Sequence, residues 1–178
     1  MPRIEHDYAA ILQVILDQYQ LPLHGDHGLH HWARVWTNGH AVGSNSGADL
    51  EIVSLFALFH DSCRVNEFRD PEHGKRGGDL ARELRGSHVH LDDQRFELLY
   101  EACRLHTDGL TEGEPTLLAC WDADRLDLGR VGTTPKPHRL CTDSARELIG
   151  WAHHRAITGH VPSEVLQCWS ATKVFPEH

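Results

Sequence analysis

The side chains with the most chemical potential are His31, the adjacent pair His60-Asp61, and Asp124. His60-Asp61 offers a nitrogen and an oxygen ligand side by side, just after the apolar run from Ile52 to Phe59. Neighbouring helix residues point about 100° apart, yet both can reach one ion beyond the helix flank. Such an ion needs two or more further ligands from other helices. His31 and Asp124, each set among apolar neighbours, are the candidates. Two imidazoles and two carboxylates make a mixed nitrogen–oxygen set. It suits manganese, iron, cobalt or zinc better than calcium and lacks the thiolates of structural zinc. Local pattern alone leaves a second reading open, in which His60 caps a helix C-terminus and Asp61 begins a turn.

These residues need helices to position them, and the chain reads as helical almost throughout. Ile4, Tyr8, Ile11, Leu12, Ile15 and Tyr19 recur at helical spacing, closed by Pro22. A second helix is expected from Leu29 to about Val42, ending in a glycine-rich stretch. Asp49 is the expected cap of a third, apolar on most sides and so placed at the centre of the core. Residues 66–78 contain Asp70-Pro71 and three glycines and read as a loop. Further helices are expected near Gly78–Arg85, Asp92–His106, Thr116–Leu128 and Asp143–Ala156, with a last one through Val165, Leu166 and Trp169. Gly129–Pro137 reads as a surface loop. No period-two strand series, repeat or low-complexity tract stands out, so the expected class is all-α in one domain.

Composition narrows the classes. The chain has 178 residues, one domain's worth, and 16 of them are histidine. Histidine is the commonest metal ligand, so the excess points toward a metal without locating it. The net charge of −9 argues against duplex nucleic acid as an obligate partner. No apolar run is long enough for a membrane span. Arg3, Glu5, His6 and Asp7 precede any apolar stretch, unlike a secretory leader. Cys63, Cys103, Cys120, Cys141 and Cys168 are odd in number and show no Cys-x-x-Cys, which fits a reducing cytoplasm.

The order His … His-Asp … Asp, with its flanks, resembles the HD superfamily of metal-dependent phosphohydrolases. The flanks read His27-Gly28-Leu29-His30-His31-Trp32-Ala33-Arg34-Val35, Leu58-Phe59-His60-Asp61-Ser62, Asp70-Pro71-Glu72-His73-Gly74, His106-Thr107-Asp108-Gly109 and Trp121-Asp122-Ala123-Asp124-Arg125-Leu126-Asp127. They run from about residue 24 to 130, with 131–178 as a C-terminal helical extension of the same domain. The resemblance implies a helical bundle around a central metal site, with His31, His60, Asp61 and Asp124 as ligands. The ion would be Mn, Fe, Mg, Co, Ni or Zn. Asp124 is preferred over Asp122 because it stands in an Ala-Asp-x-Leu setting; the two lie about 200° apart on a helix and are not expected to share an ion. Asp122 or Asp127 would orient a ligand or an arginine, or else lie on a salt-bridged helix face.

In some members of that superfamily two further histidines bind a second metal, and His73 and His106 stand in the right order for it. A second ion would clamp a phosphate. Alternatively they line the pocket, protonating a leaving group or binding a phosphoryl oxygen, or they are an ordinary loop histidine and helix cap. Lysine occurs only at 75, 136 and 173, so 14 of the 17 basic residues are arginine. Arginine presents a planar fork to phosphate. Arg34, Arg64 and Arg125 flank the proposed ligands, and with His27 they are the expected substrate-binding residues. Asp61, Arg64, His73 and His106 are the expected catalytic set. His88, His90, His153 and His154 are expected at the surface or in packing.

The resemblance has a gap. The stringent-nucleotide hydrolases and 5′-nucleotidases of the superfamily carry an acid a few positions after His-Asp. Here Ser62-Cys63-Arg64-Val65 follows, with no acid before Glu67. The Gly-Tyr-Pro signature of the cyclic-di-nucleotide phosphodiesterases is also missing. The expected protein is therefore a cytoplasmic phosphohydrolase, monomer or homodimer, acting on a small phosphorylated metabolite or nucleotide. Its rivals are an HD-fold di-iron oxygenase and a non-catalytic ligand-sensing module.

Overall fold

A computed structural model of the chain describes residues 6–169. Ile4 of the first apolar series, Arg3 and Glu5, and the part of the C-terminal extension beyond residue 169 lie outside the described residues. The helices are α1 (Tyr8–Gln18), α2 (Leu29–Gly43), α3 (Leu50–Phe59), α4 (His73–Glu83), α5 (Asp93–Leu105), α6 (Pro115–Arg125), α7 (Asp143–Ile157) and α8 (Ser163–Cys168). Short 3-10 turns occupy Leu128–Val131 and Pro137–Arg139. No strand forms among the described residues, only an isolated bridge between Arg85 and Val89.

The apolar run dictates the centre. Every residue of α3 from Ile52 to Phe59 is buried, and α2, α4, α5 and α6 all pack on it. Burying a phenylalanine such as Phe56 or Phe59 contributes about 1.5–3 kcal/mol. Asp49 caps the helix as expected, accepting from the backbone N–H groups of Glu51 and Ile52. The same carboxylate takes both prongs of Arg95, at 2.7 and 3.0 Å, and so ties α3 to α5. Asp92, Glu114 and Thr142 cap α5, α6 and α7 in the same way, and Pro115 opens α6.

Two expectations are corrected. The segment before Gly78 is not all loop: α4 begins at His73, and Gly74, Gly77 and Gly78 lie inside it. The glycines are contact points, not breakers. A Cβ on Gly77 would come within 2.1 Å of the Phe59 carbonyl oxygen, and one on Gly74 within 2.2 Å of that of Cys103. Only a bare backbone lets α4 approach the ends of α3 and α5 so closely. Nor is Gly129–Pro137 wholly a surface loop. Its first residues continue α6 as a 3-10 turn, on which α7 packs. The C-terminal helices α7 and α8 also lie against α2.

Candidate metal centre

The site lies where the ends of five helices meet. α2 supplies His31 from its first turn, and α3 ends at His60, its C-cap, with Asp61 next. α4 begins at His73, α5 ends at its C-cap His106, and α6 carries Asp124 in its last turn. Polar groups at helix ends project into the junction while the helix bodies stay apolar. His31, His60, Asp61, His73 and His106 are each at most 4% exposed.

Two triads form. His31, His60 and Asp124 have ligand atoms within 4.8 Å of one another, and so do Asp61, His73 and His106. Asp61 belongs to both. Its Oδ2 lies 3.4 Å from His31 Nε2 and 3.7 Å from His60 Nε2. Its Oδ1 lies 3.0 Å from His73 Nε2 and 3.8 Å from His106 Nε2. Asp124 Oδ1 closes the first triad at 3.4 Å from His31 and 3.8 Å from His60.

Hydrogen bonds on the far side of each ring fix its tautomer. His60 Nδ1 faces the carbonyl of Phe56 at 3.1 Å and His106 Nδ1 that of Cys103 at 2.7 Å. His73 Nδ1 faces the carbonyl of Asp70, and His31 Nδ1 the carboxylate of Asp127 at 2.7 Å. Those oxygens only accept, so each Nδ1 carries the proton and donates it. In the neutral ring each Nε2 then holds a lone pair, and all four point inward. His31 and His60 Nε2 are 3.1 Å apart, and His73 and His106 Nε2 are 3.0 Å apart. Lone pairs that close repel unless a proton or a metal cation lies between them. Asp124 Oδ1 is also buried without a hydrogen-bond donor. The donor set therefore fits a divalent cation held by His31, His60, Asp61 and Asp124.

Electrostatics agree with that fit. Burial opposes ionisation of Asp61 and Asp124, yet the surrounding histidines hold both carboxyls well below the usual carboxylate range, with Arg130 helping at Asp124. Burial pushes the His60 imidazole down to about 3, so it is neutral and able to ligate. Burial and Arg130 also oppose charging of His31, but Asp124, Asp127 and Asp61 together outweigh them and raise it to about 9. Without a metal, the first triad holds its positive charge as a proton on His31.

The second triad already has a cation beside it. Arg64 Nη1 sits 3.4 Å from Asp61 Oδ1 and 3.2 Å from His73 Nε2. The rest of that guanidinium is occupied, with Nε on the Asn66 carbonyl and Nη2 on the Phe68 carbonyl at 2.6 Å. Arg64 thus clamps the loop after α3.

The other expected phosphate binders are placed differently. Arg34 is engaged by Asp127, through Nε at 2.7 Å and Nη2 at 3.2 Å, and by the His160 carbonyl. It braces the carboxylate that holds His31. Arg125 turns to the Arg139 carbonyl and Cys141 sulfur, away from the histidines. His27 Nδ1 pairs with Glu67 at 2.5 Å. Asp122 accepts from the backbone N–H of Cys141 and Thr142, at 2.7 and 2.9 Å, and from the Thr142 hydroxyl. It anchors the start of α7, and Asp124, not Asp122, joins the histidines.

Sequence reading passed over two residues. Arg130 reaches back with Nη2 3.7 Å from the unpaired Asp124 oxygen. It was hidden in a segment read as surface loop; its place three residues after Asp127, one helical turn on, was the available signal. Glu67, noted only as a late acid, holds His27. The remaining histidines are peripheral: His6 is bonded to Glu51 and to the His90 backbone, His88 is half-buried and His90 is exposed.

No family model matches the chain, and no curated protein does. Among solved structures, it resembles a predicted HD superfamily hydrolase from an uncultured Thermotogales bacterium, with a TM-score of 0.63 and 23% identity over 94% of this chain and 91% of that one. The chain thus has an HD-type fold.

Proposed function

We propose that this protein is a metal-dependent phosphohydrolase acting on a small organic phosphate. The observation that carries the reading is the convergence of four Nδ1-anchored imidazoles on the shared carboxylate of Asp61, with Asp124 left undonated. His31, His60, Asp61 and Asp124 would hold the ion. A divalent ion so bound supplies Lewis-acid polarisation of a phosphoryl oxygen and lowers the pKa of a water toward about 7.

The chain's own groups do the rest. Asp61 and Asp124, both ionised, are placed to take the proton of the attacking water. Arg130 and Arg64 supply positive charge beside the reacting centre, where charge builds on phosphoryl oxygens. Burial opposes charging of His106, but Asp61 and Asp124 outweigh it and raise its imidazole, so beside His73 it is placed to donate an Nε2 proton to the leaving oxygen. Asp127 and Arg34 keep His31 in its tautomer, and the apolar bodies of α3 and α5 exclude bulk water behind the site. Although the whole chain is acidic, Arg64 and Arg130 can attract a small anion locally. Cys63, Cys103, Cys120 and Cys141 stand as thiols, in keeping with a reducing compartment. No described helix is long and apolar enough to cross a membrane.

The test is a screen of phosphate esters and nucleotides for phosphate release, with Mn²⁺, Mg²⁺, Co²⁺ and Ni²⁺ supplied in turn to metal-stripped protein. Turnover that vanishes in Asp124→Ala is expected. A protein that takes up metal and cleaves no ester with any of them overturns the reading. The second triad favours one alternative, a two-iron oxygenase using all six ligands. Two tightly held irons per chain, with oxygen consumption and no phosphate release, would support it.

A further inference from the structure

Beside the second triad opens a cavity of about 310 Å³, lined by Arg64, Phe68, Arg69, Asp70, Pro71, His73 and Thr107. That is the lower end of the range for small-ligand sites. One wall is His73, whose Nε2 faces Asp61, so the cavity adjoins the reacting centre. Another lining residue is Phe68, 87% exposed, the most solvent-exposed large apolar side chain described. Arg69, also exposed, stands next to it.

An exposed phenylalanine on a limp loop would mean little, but this loop is held at both ends. Arg64 grips the Asn66 and Phe68 carbonyls from within. Asn66 Oδ1 accepts from the Phe68 N–H at 2.8 Å. Asp70, itself buried, accepts from the Val65 N–H at 2.9 Å and from Arg76 at 2.6 Å. The fold thus fixes the backbone of Phe68 and leaves its ring uncovered. An uncovered ring costs apolar exposure in the free protein, and that exposure is removed when a flat partner covers it. The arginine that holds the Phe68 carbonyl is the one that touches Asp61 and His73, so the backbone that carries the ring is tied to the site.

Resting on the phosphohydrolase reading, we propose that Phe68 is a stacking platform for a planar, aromatic leaving group, with Arg69 attracting the substrate's negative charge at the mouth. The substrate class is then a phosphate ester of a nucleoside or similar aryl-bearing alcohol, and not of a small polyol. Stacking of a base on an aromatic side chain is sequence-tolerant and worth about 1–3 kcal/mol, or roughly a 5- to 150-fold change in affinity.

The probes are adenosine 5′-monophosphate and glycerol 3-phosphate, which carry the same phosphate on different alcohols. Their binding to Mn²⁺-loaded protein is measured by calorimetry, and hydrolysis is followed separately. Wild-type protein should bind the nucleotide the more tightly. Phe68→Ala should weaken nucleotide binding about tenfold and leave glycerol 3-phosphate within twofold, and Phe68→Tyr should restore it. Because the ring is exposed, melting temperature should not move. Equal effects on both probes, no effect on either, or no nucleotide binding by wild-type protein overturns the proposal. Phe68-dependent nucleotide binding without hydrolysis of any ester would keep the platform and remove the phosphohydrolase reading.

Discussion

Asp127 Oδ2 lies 2.7 Å from His31 Nδ1, a bond between residues 96 positions apart that orients the ring from behind. The carboxylate is fully buried and held in turn by Arg34. Such outer partners typically change metal affinity 10–100-fold. Asp127→Asn should therefore lower affinity for Mn²⁺ by roughly that factor, while His31 itself remains. Titration of metal-stripped protein checks it, and unchanged affinity would mean that His31 needs no orienting group.

The two triads should differ in strength. Arg64 competes with an ion at Asp61 Oδ1 and His73, whereas the first triad has no arginine nitrogen closer than 3.7 Å to its undonated carboxylate oxygen. His60→Ala and Asp61→Ala should abolish tight metal uptake. His73→Ala and His106→Ala should keep one tight equivalent and lose turnover. Elemental analysis after dialysis separates these outcomes; loss of all metal from His106→Ala would show that the triads act as one site.

Asp122 and Asp124 should differ in what they do to metal content. Asp122 serves two backbone N–H groups and a hydroxyl at the start of α7. Its replacement by Ala leaves those donors without their acceptor and should cost about 1–3 kcal/mol of stability, with metal content normal. Asp124→Ala should remove the metal, and because it takes away one of the carboxylates that hold the charge of His31, the metal-free protein should lose stability as well. Urea denaturation paired with metal analysis on both variants would falsify the assignment if the pattern came out reversed.

Gly77→Ala should be among the most damaging single-methyl changes. The added Cβ meets the Phe59 carbonyl at 2.1 Å, and backbone cannot turn aside as a side chain can. Overpacking of this kind costs about 1–3 kcal/mol. Because the displaced helix carries His73 at its start, metal binding at the second triad should suffer before the first. Melting temperature and metal stoichiometry together check it.

Asp70 makes stability depend on pH at the acid end. Burial opposes its ionisation, but Arg76 and the Val65 N–H outweigh it, and its carboxyl lies below the ordinary value. Its contribution is then complete above the unfolded carboxylate pKa of about 3.9 and is lost as pH falls through the lower, folded value. The stability gap between wild-type protein and Asp70→Asn should be widest near neutrality and close below about pH 4. Denaturant midpoints at a series of pH values measure it; a gap that is constant with pH would mean that Asp70 acts only as a neutral hydrogen-bond acceptor.

The linear order of residues already determined much of this protein. The nearly unbroken apolar run of α3, interrupted only by Ser54, calls for burial at a centre, which brings its terminal His60-Asp61 into the interior. Caps such as Asp49 and Pro115 are local chemistry and were legible for that reason. Helical angle showed that Asp122 and Asp124 would not share an ion, and the Ala-Asp-x-Leu setting favoured Asp124. Tertiary structure decided what depends on approach between distant segments. It turned three glycines from presumed loop residues into contact points, because only packing shows that a Cβ has no room. It assigned Arg34 to Asp127 and sent Arg125 to the loop before α7, because a guanidinium goes to whichever acceptor the fold brings near. It also brought Arg130 to Asp124, because a 3-10 turn, invisible as periodicity, reverses the chain there. Residue types set which ions and anions this junction suits, and the meeting of helix ends sets which side chains face them.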